Sequence, residues 1–169
     1  MTLVDILQII LFVMALMIFH ESGHVISAKI MGLDIQKISF QLKPYPHFFV
    51  AIEWPRMEKQ RLIYLFSGSF VTVTLFIIAL LFHFFGIKNL YHAFVVQLIL
   101  ESNPFYSDIT IAAVTKTKFD YTNTNKQKSY SDLYQEKFSN YQFSYKWYIH
   151  FTAWIGLILF SIKYNHLFT

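Results

Sequence analysis

Five consecutive residues carry the chemistry this chain is equipped to do. His20-Glu21-Ser22-Gly23-His24 reads H-E-x-x-H. On a helix, positions i and i+4 share one face, so the two imidazoles can grip one zinc ion. Glu21 stands beside the first, where it can take a proton from a water that the metal activates. The chain has no cysteine, which excludes disulfides and thiolate zinc sites. Any metal must be held by His and carboxylate. H-E-x-x-H also arises by chance on soluble helices, but here residues 6–19 are apolar except for Gln8. Ionisable groups at the end of such a run are costly to bury, which marks them as functional. The spacing and the setting together predict a hydrolytic metal centre inside, or at the edge of, a membrane.

Composition supports that setting. Hydrophobic residues make up 55% of 169 and charged residues only 14%, the balance of an integral membrane protein of one domain. Aromatics reach 20%, which suits a lipid-facing surface with interfacial belts. The formal charge of +4 is spread over loops, and no basic run has the density of a nucleic-acid site. The N-terminal apolar run lacks a basic leader and a small-residue cleavage site. It is therefore expected to stay in the mature protein.

The elements that must position the motif follow from periodicity. Residues 3–31 predict a first membrane helix that Gly32 stops. Seventeen residues precede His20 in that helix, nearly enough to cross the hydrocarbon at about 1.5 Å per residue. His20 and His24 then lie near the far interface. Gly23 lets another backbone approach closely. Residues 35–54 change to a period of two. Ile38, Phe40 and Leu42 alternate with Ser39, Gln41 and Lys43, and Phe48, Val50, Ile52 and Trp54 follow a turn at Pro44-Tyr45-Pro46-His47. This pattern predicts a membrane-associated β-hairpin. Its free edge is suited to pairing with an extended peptide, or the hairpin simply packs on the helices. His47 falls in the turn, where an exposed histidine is expected.

Residues 62–85 predict a second span, with Ser67-Gly68-Ser69, Thr72 and Thr74 permitting tight helix contacts. His83 and His92 flank the short turn that follows and read as interfacial. Residues 90–114 predict a third span broken at Glu101-Ser102-Asn103-Pro104, because Pro104 removes one helical hydrogen bond. Polar groups at Glu101, Asn103 and Asp108 at membrane depth should line a site. The alternative is that the helix ends at Asn103 and a loop follows. Residues 115–146 form the one long polar segment. Within it Tyr130, Leu133, Tyr134, Phe138 and Tyr141 share a helical face, which predicts a short amphipathic helix on the membrane surface. Residues 147–168 predict a fourth span anchored by Trp147, Tyr148 and Tyr164. The fold class expected is thus an all-α polytopic membrane protein of about four transmembrane helices, with one hairpin between the first and second. Lys37, Lys43, Arg56, Lys59 and Arg61 in the first loop, and six lysines in the third, predict that both loops are cytoplasmic and both termini outside.

These residues bring out a family likeness. The chain resembles the site-2 protease family of intramembrane zinc metalloproteases, over roughly its whole length as that family's minimal core. The family motif is H-E-x-x-H, often H-E-x-G-H, on the first core helix, and His20-Glu21-Ser22-Gly23-His24 matches it. Ser27-Ala28-Lys29-Ile30-Met31-Gly32 is similar to the segment that follows in the family, and the hairpin comes next. Asn103-Pro104 and Asp108 resemble the later Asn-Pro element and its Asp. The resemblance implies His20, His24 and Asp108 as ligands of Zn2+, Glu21 as catalytic base and Asn103 as a substrate-holding residue. It further implies a membrane protein or membrane-inserted peptide as substrate, and a bacterial cell membrane as the location. Two departures mark a divergent member. Asp108 is followed by Ile109 where the family favours Gly, and Gly68 is followed by Ser69, with Thr72 where the family has Asn. No PDZ-like or nucleotide-sensing domain is seen, so substrate selection is expected in the core or in a regulatory membrane partner. Two other readings remain open: a membrane zincin of another family with Glu101 as third ligand, and a catalytically silent relative that binds a membrane peptide or acts as an immunity protein.

Overall fold

The structure is a computed structural model, and it describes residues 2–41, 47–52, 55, 57–115 and 130–163. Helix α1, Leu3–Ile30, opens the chain. Thr2 caps it: its Oγ1 accepts from Asp5 N at 3.3 Å, while Asp5 Oδ2 accepts from Thr2 N at 2.7 Å. This reciprocal pairing satisfies two of the donors a helix N-terminus leaves free. Gly32, at φ +67°, ends the turn after the helix in a conformation other residues resist.

Strands β1, Ile35–Gln41, and β2, His47–Ile52, form the expected antiparallel hairpin. Ile38 faces Val50 and Phe40 faces Phe48, with an irregularity between Ile35 and Lys37. The turn expected at Pro44 to Pro46 lies outside the described residues. Ile35 and Ile52, at the open end, pack with Ala28, Tyr64, Leu65 and Ala112. The hairpin is therefore seated on helices, while Ile38 and Phe40 remain exposed.

Helix α2, Glu58–Leu81, begins four residues earlier than the apolar run suggests and ends four earlier. The charged stretch before Leu62 forms its first turn. Its end is set at His83, which adopts a left-handed φ of 57° before a 3-10 turn at Phe84–Gly86. Helix α3, Leu90–Glu101, then stops, and helix α4, Asp108–Thr115, resumes after six residues. The break expected around Pro104 is present, and the chain continues as helix beyond it. Helix α5, Tyr130–Tyr141, falls where the amphipathic pattern places it, and α6, Tyr145–Lys163, follows after a short turn. Residues 116–129, in the polar segment, and 164–169, at the end of the fourth predicted span, lie outside the described residues.

Among the described residues two helices, α1 and α2, are long and apolar enough to cross a membrane. The burial pattern of α1 is inverted relative to a water-soluble helix. Val13, Leu16, His20, Gly23, His24 and Ser27 form one buried stripe at helical spacing. Leu3, Val4, Leu7, Leu11, Ile18 and Phe19 point outward. His20, His24 and Ser27 are inside together with Val13 and Leu16, and the outward face over residues 3–19 is apolar. One apolar cluster joins Val13 and Leu16 to Ala79, Ala93 and Phe94, and the second gathers around Ala28 and Leu65. The two histidines lie between them along α1.

Candidate metal centre

His20 and His24 leave α1 one turn apart, on the buried stripe that faces α2. The helices meet closely there because both contribute glycine. A Cβ on Gly23 would lie 2.6 Å from the Ser67 carbonyl oxygen. A Cβ on Gly68 would lie 2.6 Å from both His20 Cε1 and His24 Nε2. Real Cβ atoms do not come that close, so Gly68 is the floor of the site and any side chain there would occupy it. Gly23 fulfils the close approach expected of it. Gly68 was legible only as a small residue suited to tight packing.

Each ring is held by its Nδ1. His24 Nδ1 lies 2.8 Å from the Tyr64 carbonyl oxygen, which can only accept, so Nδ1 carries the proton. Ser67 Oγ donates to the same carbonyl at 2.6 Å. His20 Nδ1 lies 2.8 Å from Glu101 Oε1. That oxygen also accepts from Thr72 Oγ1 at 2.6 Å and Gln97 Nε2 at 2.7 Å, three donors on one carboxylate oxygen. Both rings therefore present an unprotonated Nε2 in their neutral form. Fixing a histidine by its other nitrogen through a carboxylate or carbonyl is how proteins orient metal-ligating imidazoles.

Asp108 completes the arrangement from the far side of the helix break. Its Oδ2 lies 3.0 Å from His20 Nε2 and 3.1 Å from His24 Nε2, and the two Nε2 atoms are 3.2 Å apart. Three acceptor atoms at these separations repel unless a metal ion or a proton lies among them. Around a tetrahedral zinc, with bonds of about 2.0–2.1 Å, adjacent ligand atoms sit about 3.3 Å apart. The observed triangle is close to that size. His20, His24 and Asp108 are thus able to hold a metal ion, and the donor set of two imidazoles and a carboxylate suits zinc among other divalent ions.

The break places Asp108. Ser107 caps α4, its Oγ accepting from Thr110 N at 3.2 Å, so Asp108 is the first residue of the helix. Ser107 Oγ and Thr110 Oγ1 both donate to the Asn103 carbonyl, at 2.7 and 2.8 Å. The Asn103 side chain closes the turn. Its Nδ2 donates to the carbonyls of Leu100 and Tyr106, at 2.6 and 2.8 Å. Its Oδ1 accepts from the backbone N–H of Phe105 and Tyr106, at 3.1 and 2.7 Å. Leu100 is the residue whose carbonyl Pro104 leaves without its helical donor, and Asn103 supplies the replacement. The described geometry commits the Asn103 amide to its own loop, whereas the resemblance gives it to substrate.

Glu21 is half-buried on α1, next in the chain to His20. Glu101 sits on the Nδ1 side of His20, behind the ring and not among the three converging atoms. The structure thus brings together His20, His24 and Asp108, with Glu101 as support. His47 contributes no described side chain, and His92 belongs to the far end of α3. Gln97 and Thr72 were not singled out as site residues in the sequence. Gln97 and Glu101 are four apart in the largely apolar run 93–101, a signal that they share a buried face. Thr72 holds Glu101 through its hydroxyl.

Compared with family models, with curated proteins and with solved structures, the chain matches none. The fold and the site therefore define a class by themselves: a helical protein with two helices of membrane-crossing length and a His-His-carboxylate group able to hold a metal.

Proposed function

We propose that this chain is an intramembrane zinc endopeptidase, similar to the site-2 protease family, acting on a transmembrane or membrane-inserted peptide. The observation that carries the reading is the triangle of His20 Nε2, His24 Nε2 and Asp108 Oδ2, held with the Nδ1 of both rings already committed. Three protein ligands leave a position open for water and substrate, the pattern of a catalytic rather than a structural site. Zinc bound there would polarise a carbonyl and ease the ionisation of water. Glu21 accepts the proton of the attacking water and returns it to the amine that leaves. His20 and His24 keep their orientation through Glu101 and the Tyr64 carbonyl.

Membrane insertion is supported by the inverted burial of α1, which puts Leu and Ile where lipid would be and imidazoles where protein is. In this reading α3 and α4 together make a third, broken span and α6 a fourth. Carbonyls and N–H groups of the break are bonded within the chain, as irregular backbone at membrane depth requires. In the same reading the lysines of the first and third loops favour a catalytic end towards the cytoplasm. Arg61 is a buried exception, bonded to the carbonyls of Pro55 and Thr115 at 3.1 and 3.4 Å. It ties α4 to the start of α2 and is not a loop charge. The exposed hairpin offers its edge to an unwound substrate segment.

The test is elemental analysis of the purified, detergent-solubilised chain, joined to a membrane-proteome comparison of wild type with Glu21→Gln. One zinc per chain, and precursors that persist in the variant, are expected. A chain that purifies without any divalent transition ion and takes up none ends the reading. A phenotype that survives Glu21→Gln favours the silent peptide-binding relative.

A further inference from the structure

The break between α3 and α4 frees more carbonyls than Asn103 can serve, and α6 supplies the missing donors. With Asn103 N–H turned to Leu100 O, the Ile99 carbonyl takes the indole N–H of Trp154 at 2.9 Å. Tyr106 N–H is held by Asn103, and the Ser102 carbonyl takes His150 Nε2–H at 2.9 Å. The Pro104 carbonyl takes the indole N–H of Trp147 at 3.2 Å. Trp147, His150 and Trp154 stand at i, i+3 and i+7, one face of α6. Phe105, inside the break, packs edge-on against the rings of Trp147, Phe151 and Trp154. The opposite face, with Ile149, Ile155, Leu159 and Ile162, is exposed.

His150 is itself oriented. Tyr141, the last residue of α5, lies with its hydroxyl 3.1 Å from His150 Nδ1. Because the Ser102 carbonyl only accepts, Nε2 carries the ring proton and Nδ1 accepts from Tyr141. Burial raises the Tyr141 phenol above its ordinary range, which keeps it a donor. Hydrogen bonds run from α5 through His150 to the Ser102 carbonyl, and the next carbonyl in the turn, that of Asn103, holds Ser107 and Thr110 at the start of the helix that Asp108 opens.

We propose that α6 is the positioning helix of the metal centre: Trp147, His150 and Trp154 hold the break in the one shape that brings the Asp108 carboxylate to the two histidines. The proposal rests on the metal reading above and adds residues more than a turn of chain away from any ligand. The Nδ1 of His24 is held by the Tyr64 carbonyl on α2 and that of His20 by Glu101, which Thr72 and Gln97 also hold, so loss of the α6 bonds is expected to release Asp108 while leaving the histidine pair in place. The expected defect is a weaker, less complete coordination sphere on a folded chain, not a general loss of structure.

The experiment is Co2+ titration of the metal-free full chain in detergent, read by visible absorption, with helicity followed by circular dichroism. Wild type is expected to take one Co2+ with the intense bands of a four-coordinate ion. His150→Ala and Trp154→Phe are expected to bind on the order of tenfold more weakly, with reduced band intensity and unchanged helicity. His150→Gln, whose amide can donate to the same carbonyl, is expected to restore both. Wild-type affinity and spectrum in Trp154→Phe and His150→Ala overturn the proposal, as does a Gln variant no better than Ala. If His150→Ala does not fold, Trp154→Phe and His150→Gln decide. Wild type that takes up no Co2+ at all defeats the metal reading itself, a separate result.

Discussion

His20 and Glu101 meet at 2.8 Å across the side of the imidazole that faces away from Asp108. The carboxylate nearest to the first histidine in this direction is thus a support, and the one beyond the break is the candidate ligand. The two carboxylates are expected to behave differently. Asp108→Ala should abolish metal binding, leaving only two protein ligands. Glu101→Gln keeps a hydrogen-bond acceptor and should weaken metal binding about 10- to 100-fold without abolishing it. Zinc content and affinity of the two variants check this, and full zinc in Asp108→Ala would transfer the third ligand to Glu101.

Gly68→Ala separates helix stability from site geometry. Alanine favours a helix interior over glycine by about 1 kcal/mol, so α2 by itself gains. The added methyl lies against His20 and His24. Metal binding should fall to background while α-helix content holds. Gly23→Ala presses on the Ser67 backbone and not on the rings, so its expected defect is packing strain of about 1–3 kcal/mol. Thermal unfolding and metal uptake, measured together, distinguish the two glycines.

Glu21→Gln should retain metal and lose activity. A positioned general base contributes roughly 10²–10⁴ in rate, and the amide cannot accept the proton. Hydrolysis of a membrane-inserted peptide and zinc content measured on the same sample test this. Loss of zinc along with activity would instead make Glu21 part of the metal's hold.

Asn103 is open to a direct test between two roles. Its amide makes four hydrogen bonds within the turn. Asn103→Ala should therefore destabilise the turn and weaken metal binding, because Asp108 loses its placement. A residue that only holds substrate would raise KM and leave metal affinity alone. Metal titration beside a KM measurement decides.

The sequence by itself determined the parts whose cause is local. Apolar length specifies α1 and α2, because a helix of such composition has few other places to be. The period of two around a Pro-rich turn specifies the hairpin, and Pro104 specifies the interruption, because a residue without an N–H cannot continue the ladder of hydrogen bonds. The i, i+4 spacing of His20 and His24 placed two rings on one face before any contact was known. Tertiary structure alone decided which nitrogen of each ring faces inward, because the partners that choose it, the Tyr64 carbonyl and Glu101, arrive from other helices. It also decided between the two carboxylates on either side of the break. Glu101 and Asp108 are both carboxylates lying close to Pro104 in the chain, and only the turn geometry sends one behind His20 and the other in front. The Tyr64 carbonyl has no signature at all, since every residue carries one. The donors from α6 are legible afterwards as a Trp-His-Trp face, but which carbonyls they reach depends on how the helices pack.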